Sequence, residues 1–446
     1  MVAVTKTIPV PVIAAVGRSS FHSAHPRDKS PFRKIFPQQL LGQTMRGVVE
    51  NSGLYSTDFK YVEVGCTGGG TQHTNVGVRA ALEAFGASNP NMFTETGDSS
   101  CASSLKKAIN AAMFVMSGRP EAKFVLVGGV EHQADGHAPA GRVARYLTNH
   151  PLGYIKDVIG TIAAGFAFGK DPVRMGQYIF SKTTPPDSAI PQMLESGDYI
   201  VKIRGYTIDD LNEYAQLSSA RTVTAAAEGL FEPEIIPIDM GKDGWVKRDL
   251  IREDSTELGM KNLKPVIPGG YHHAGNSSQF GIGASALVIA DEEAALKRGI
   301  TPLARIVDWE VGGMGLDIGQ LLGPVPAIRG LLNKTGLKVS EIDHWEVNEA
   351  FASVVKVTQD EFDIPIEKLN PQGGAITLTH PFGATGARLI AHATLELKRT
   401  NKRYAIITLC VAQGLYAAML IENYDYYKKA KIEQTSPQNN YAGICG

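Results

Sequence analysis

The sequence predicts an α/β protein with a duplicated, layered plan, and three observations predict it. Its 446 residues exceed what one ordinary core holds, so two or three domains or a repeated unit are required. Short β-rich runs ending in glycine alternate with segments of helical apolar spacing, the pattern of helices layered on a sheet. The two ends of the chain also repeat one order of strand, turn, helix and strand.

Taken in order, "PVPVIAAVGR" (Pro9 to Arg18) reads as a buried strand. "YVEVGC" and "FVLVGGV" are two more, with a helix starting near Cys101 between them, and residues 1–130 form the first half. Residues 131–256 change character, carrying His, Gly and Pro in irregular order. They then give the amphipathic helix "TIDDLNEYAQLSSARTVTAAAEGL", with Thr207 as its N-cap and Asp209 and Asp210 in its first turn. We read this region as an insertion lying over the core. Residues 257–422 make the second half, in which "HWEVNEAF" is a strand entering a polar turn. "GGAITLTHPFGATGARLIAHATLEL" is a Gly-rich turn feeding a helix, and "YAIITLCVAQGLYAAMLI" is strand, turn and strand. Residues 423–446, polar and rich in Tyr and Lys, read as a surface tail.

A hydrophobic content of 43% and a charged content of 20% suit a globular chain with large cores. A net charge of −1 gives no pull toward nucleic acid, so no nucleic-acid partner is expected. The most apolar stretch, "VIGTIAAGFAFG", is well below the ~20 residues that span a bilayer. The cysteines are Cys66, Cys101, Cys410 and Cys445, without metal-ligand spacing, so no metal site is expected and the thiols suit a reducing compartment. Up to Lys34 the chain carries six basic residues and one acid, Asp28, which resembles a mitochondrial transit peptide. A typical cleavage would delete the first strand, so a plain basic face is the favoured reading. The ending "ICG" is no peroxisomal signal, which leaves a mitochondrial or otherwise cytoplasmic location as the expectation.

Four residues carry candidate chemistry. Cys101, in "ETGDSSCASSLKKAINAAM", is placed at the start of a helix, where free N–H groups and the macrodipole lower a thiol's pKa. The alternative is a buried cysteine acting as a small hydrophobe. His380 in "LNPQGGAITLTHPFGATGAR" stands at a loop-to-helix junction, with Gly383 and Gly386 allowing close backbone approach, and could take a proton from a cysteine. It could equally be a capping histidine. Cys410, in "ITLCVAQG", offers a second thiol for acid–base work at carbon, or is a buried strand-end residue. Asn348 in "VNEAF" can donate to a carbonyl oxygen or hold a water that does. The loop "YHHAGNSSQFGIGASA" adds His272 and His273, which could touch substrate or stay solvated.

With these elements in chain order, the sequence resembles the thiolase superfamily. The carriers are the His380 segment, "VNEAFA", "TPLARIVDWEVGGMG" with "LLGPVPAIRGLL", "LKPVI" before "AGNSSQ", "FEPEIIPI" and "VGRSSF". They run from about Val10 to Ile421, with Lys170 to Ile203 fitting least well. The resemblance implies a duplicated αβαβα layered fold with an inserted loop domain. It implies Cys101 as the acyl-accepting nucleophile, His380 as its activator, and a water on Asn348 with His380 as one oxyanion hole. Cys410 would move the α-carbon proton, and the backbone N–H groups of Cys101 and Ala412 would form a second hole. His273, Ser277 and Phe351 would face substrate. Acyl-CoA and coenzyme A are then the substrates, no cofactor is needed, the middle region binds coenzyme A, and a homodimer or tetramer is expected.

Three positions depart from the family pattern, where Ala412 and Thr379 replace glycines and Ile282 replaces an acid. They point to a divergent branch such as the sterol-carrier-protein-linked thiolases, although those carry a histidine motif where Asn348 stands. The expected activity is cleavage of a 3-ketoacyl-CoA, such as acetoacetyl-CoA, by coenzyme A, or the reverse condensation. A non-catalytic acyl-CoA-binding relative and a decarboxylating ketoacyl-synthase type are the alternatives, the latter disfavoured by Cys410. "GCTGGGTQ" lacks the Lys-Ser/Thr ending of a phosphate loop and reads as a turn.

Overall fold

The computed structural model describes residues 8–25, 28–67, 75–87, 91–133, 193–251, 257–315 and 319–435. The apolar stretch 158–169, most of the glycine turn after Cys66, and Cys445 lie outside them.

The first half runs β1 (Pro11–Arg18), β2 (His22–Ser23), α1 (Pro37–Ser52), β3 (Tyr61–Gly65), α2 (Val76–Phe85), β4 (Phe93–Gly97), α3 (Ser103–Met116) and β5 (Phe124–His132). The middle region supplies α4 (Met193–Arg204), α5 (Ile208–Ala227) and the small hairpin β6 (Ile238–Asp239) and β7 (Trp245–Val246). The chain continues through α6 (Glu257–Lys261), β8 (Gly281–Asp291), α7 (Glu292–Lys297), β9 (Ala304–Gly313), α8 (Pro324–Thr335) and β10 (His344–Val347). It ends with α9 (Ala352–Phe362), α10 (Ala375–Leu378), α11 (Phe382–Thr400), β11 (Tyr404–Val411), β12 (Leu415–Asn423) and α12 (Tyr424–Thr435).

The repeat predicted from sequence is visible in the strand order. The first half reads β4-β3-β5-β8-β1 across its sheet, and the second reads β10-β11-β12-β9. An isolated parallel bridge from Trp345 to Leu369 stands beside β10 where β4 stands beside β3. Strand for strand the two orders correspond, and a short antiparallel contact of Val12 and Ile13 with Arg305 and Ala304 joins them.

Alternation along the strands builds the layers. On β5, Val125 and Val127 face one core while Leu126 and Val130 face another. Leu40, Leu41, Met45 and Val48 of α1 cover the outer face of the first sheet. Leu105 and Ile109 of α3 lie with Ala387 and Ile390 of α11 between the two sheets. Ile328 and Leu331 of α8, with Val355 of α9, cover the far face of the second sheet. Helix, sheet, helices, sheet, helix is the αβαβα stack the resemblance implied. Gly386 permits its centre, because a Cβ there would stand 2.4 Å from the backbone nitrogen of Leu105.

Helix α5 starts as its sequence predicts. Thr207 Oγ1 accepts from the Asp210 N–H at 3.2 Å, and the Asp210 carboxylate accepts from the Thr207 N–H at 2.7 Å. The surface tail needs correction. Asn423 and Tyr424 are buried, and the Tyr424 hydroxyl donates to Glu292 at 2.9 Å, so the described part of the tail begins as a docked helix. Among the described residues no helix is long and apolar enough to cross a membrane.

Candidate active site

Cys101 sits in a tight turn, Ser100–Ala102, just ahead of α3. Ser100 adopts a left-handed conformation (φ +47°), its N–H donates to Asp98 at 2.7 Å, and its carbonyl accepts from Ser103 Oγ at 2.6 Å. The backbone N–H groups of Cys101 and Ala412 pull the pKa of the Cys101 thiol down. These donors do not make it acidic. Burial pushes the thiol up to about 12, and the carboxylates of Glu131 and Asp98 push the same way. The direction is the reverse of the lowering expected from the helix start, with desolvation its largest cause.

Cys410 ends β11 and is buried, and its thiol is raised well above its ordinary range by burial and by the neighbouring Cys101 sulfur. The two thiols thus lie within each other's field. Around Cys410 pack Ile200 of α4, Leu321, Ala350, and Val354 of α9, with Phe351 against them.

His380 precedes α11, whose start packs against the Cys101 turn. Its Nδ1 lies 2.7 Å from Thr385 Oγ1, whose hydroxyl donates to the Pro381 carbonyl at 2.9 Å. Thr385 has only lone pairs left for the ring, so Nδ1 carries the proton and Nε2 is the free base. That Nε2 accepts from Asn348 Nδ2 at 3.2 Å. Burial, helped by the Arg388 charge, lowers His380 to about 3, so the resting imidazole is neutral. A strip of backbone holds both motifs in place. Gln279 O accepts from the His380 N–H at 2.8 Å, Ala350 O from the Ser278 N–H at 3.0 Å, and Asn276 O from the Ala352 N–H at 3.0 Å.

Of the three expected substrate contacts, His273 is buried. Its Nδ1 accepts from the Gly275 N–H at 3.0 Å, and its Nε2 has no hydrogen-bond partner. Ser277 lies in the same strip and bridges to Phe351 through an isolated antiparallel contact. His272 is also buried, between Asp198 and Ser353, and is not a solvated loop residue.

Sequence reasoning missed Glu131. Buried at the end of β5, it accepts from the N–H and hydroxyl of Thr67 and from the N–H of Gly383, tying the first turn of α11 to the loop after β3. Burial raises it to about 7 against the pull of those donors. Only its position after the glycine-ended strand hinted at this. Also missed was Glu349, which accepts from Tyr214, Ser218, Asn370 and the Ile376 N–H, and so anchors α5 to the segment carrying Asn348.

Comparison with known proteins agrees with this geometry. The family model "Thiolase, N-terminal domain" matches residues 12–293, and "Thiolase, C-terminal domain" matches 300–423. The chain belongs to the thiolase family. Among similar thiolases, the mitochondrial 3-ketoacyl-CoA thiolase of Homo sapiens is 31% identical over 328 residues, covering 72% of this chain and 77% of that one. A steroid 3-ketoacyl-CoA thiolase of Mycobacterium tuberculosis is 31% identical over 391 residues, 87% of this chain and 89% of the relative. The crystal structure of the human mitochondrial enzyme superposes with a TM-score of 0.78 at 26% identity, over 93% of this chain and 99% of that chain. Its complex with CoA gives 0.77. This thiolase is accordingly an acyl-CoA acyltransferase.

The departures read from sequence now have structural content. Thr379 takes φ +77° and ψ 167°, a region that suits glycine, and its buried hydroxyl has no partner. Ala412 keeps a backbone N–H, which pulls the pKa of the Cys101 thiol down. Ile282 is buried in β8 and pairs with His22.

Proposed function

We propose that this thiolase cleaves a 3-ketoacyl-CoA with coenzyme A, or runs the reverse condensation, through an acyl-Cys101 intermediate. The observation that carries the reading is that the Cys101 turn packs against both β11, which carries Cys410, and α11, which follows His380, whose Nε2 accepts from Asn348 Nδ2 at 3.2 Å. His380 Nε2 takes the Cys101 proton as the thiolate attacks the 3-keto carbon. The bond between C2 and C3 then breaks, the C2 carbanion takes a proton from Cys410, and acetyl-CoA leaves. The Cys410 thiolate next takes the proton of the coenzyme A thiol, which attacks the acyl-Cys101 carbonyl; the Cys101 sulfur leaves with the proton held on His380, giving a shortened acyl-CoA and the resting site. The N–H groups of Cys101 and Ala412 stabilise one oxyanion, and His380 with a water on Asn348 the other. The high thiol and low imidazole pKa values keep the proton on sulfur until substrate arrives, which protects the nucleophile.

Residues 131–256 are assigned as the coenzyme A-binding insertion, after which β8 returns to the sheet of the first half before the second half begins, with His273, Ser277 and Phe351 toward substrate. A homodimer fits the side of β4 that pairs with no strand among the described residues, an edge on which Phe93 is exposed. The mitochondrial relatives favour a mitochondrial location. The test is turnover of acetoacetyl-CoA with coenzyme A, followed as loss of enolate absorbance. Wild type should turn over and Cys101→Ala should not. Saturable acyl-CoA binding by wild type without turnover would point to the non-catalytic reading.

A further inference from the structure

Outside the thiol site, one buried cluster has the hydrogen-bonding order of a catalytic triad. Asp198 Oδ1 lies 2.7 Å from His272 Nδ1, and His272 Nε2 lies 2.9 Å from Ser353 Oγ. All three residues are buried, with Ser353 at 0% exposure, so the hydroxyl meets no substrate and the trio is a clamp. What it joins is informative. Asp198 belongs to α4 of the insertion, Ser353 to the first turn of α9, and His272 to the loop that leads into the Asn276–Gln279 strip. The same carboxylate oxygen also accepts from the Tyr271 N–H at 3.0 Å. Gly197 brings α4 close, since a Cβ there would sit 3.0 Å from the ring carbon of His272. On its other side the imidazole meets Phe351 edge to face, with centroids 4.9 Å apart.

The helices so joined form the apolar wall beside Cys410. Ile200 of α4, Val354 and Val357 of α9, Leu321 and Phe351 pack together with that thiol. On the proposed reaction, the carbon that takes a proton from Cys410 is next to the acyl carbon on Cys101. The tail of the acyl chain must therefore run nearby, where Phe351 is the partly exposed face of this otherwise buried wall. We propose that Asp198, His272 and Ser353 are specificity-determining positioning residues. They lock the α4–α9 seam and the Phe351 ring, and so limit the length of acyl chain the thiol site accepts. The inference rests on the acyltransferase reading above.

The test is the ratio of kcat/KM for 3-ketooctanoyl-CoA to that for acetoacetyl-CoA. Loss of folded enzyme lowers both values together and leaves the ratio alone. His272→Ala opens space beside Phe351 and Gly197, and should raise the ratio by about tenfold, the order of a few methylenes in an apolar site. Asp198→Ala should raise it similarly. Because the residues act as one unit, the double variant should exceed neither single by more than about twofold. Asp198→Asn keeps an acceptor for the ring N–H and should hold the wild-type ratio. Should His272→Ala fail to fold, Ser353→Ala removes one leg of the clamp at small volume cost and should move the ratio in the same direction. A ratio unchanged in every variant that folds overturns the proposal, as does an additive double variant. No turnover of either substrate by wild type would instead overturn the acyltransferase reading.

Discussion

Asn348 Nδ2 stands 3.2 Å from His380 Nε2, while the opposite ring nitrogen is held by Thr385. The asymmetry gives the two residues separable tasks. Removing the amide leaves the base intact but takes away the donor that would hold an oxyanion-stabilising water. Asn348→Ala should lower kcat by about 10²–10³ with little change in KM. Thr385→Val should let the imidazole rotate and lose its tautomer, so activity falls while acyl-CoA affinity stays. Steady-state kinetics beside calorimetric binding of acetoacetyl-CoA to Cys101→Ala variants separates these effects.

On the proposed reaction, Cys101 rests as a protonated thiol and His380 as a neutral imidazole. With Cys101 pushed up to about 12, its alkylation by iodoacetamide should keep rising with pH through about 10 and show no plateau near neutrality. Mass spectrometry of the Cys101 peptide after timed labelling measures this directly. A plateau below about pH 8 would mean that the backbone donors outweigh burial.

That reversal shows which parts of the molecule were legible in the sequence. The layers were readable because β5 and β11 alternate side chains between two cores, and both halves write that alternation into apolar runs. His380, Asn348 and Cys410 were readable because each stands at the end of a recognisable strand or turn, inside motifs resembling one family. The Cys101 pKa was not, since desolvation and the charges of Glu131 and Asp98 come from residues the local pattern does not include. The Asp198, His272 and Ser353 clamp was equally hidden, because its members lie in three separate segments and meet only when the insertion docks.

Thr379 is a β-branched residue in a conformation that glycine tolerates, and its hydroxyl is buried without a partner. Both features cost stability, and glycine removes both while adding chain entropy to the unfolded state. Thr379→Gly should stabilise the protein by about 1 kcal/mol net, read as a higher urea midpoint at unchanged slope. If strain at this position also displaces His380, kcat should rise with it. A lower midpoint would show that the packing of the Thr379 side chain beside Gly281 matters more than the backbone.

Glu131 couples stability, pH and the nucleophile. Its carboxyl is raised from 4.5 to about 7, mainly by burial, although three donors from Thr67 and Gly383 hold the ionised form. Between those values the folded protein keeps a proton that the unfolded chain has released. Its contribution is thus full below about pH 4.5 and is lost as pH rises through about 7. The stability of wild type relative to Glu131→Gln should therefore fall between about pH 5 and 7 and level off above about pH 8. Urea midpoints taken across that range give the difference, and a flat difference would mean the folded carboxyl titrates normally. The same substitution removes a negative charge that disfavours the Cys101 thiolate, while the amide oxygen still accepts from Gly383. Iodoacetamide labelling of Cys101 at fixed alkaline pH should then be faster in Glu131→Gln than in wild type. Slower labelling would mean that Glu131 acts on the thiol mainly by placing the α11 turn, with its charge secondary.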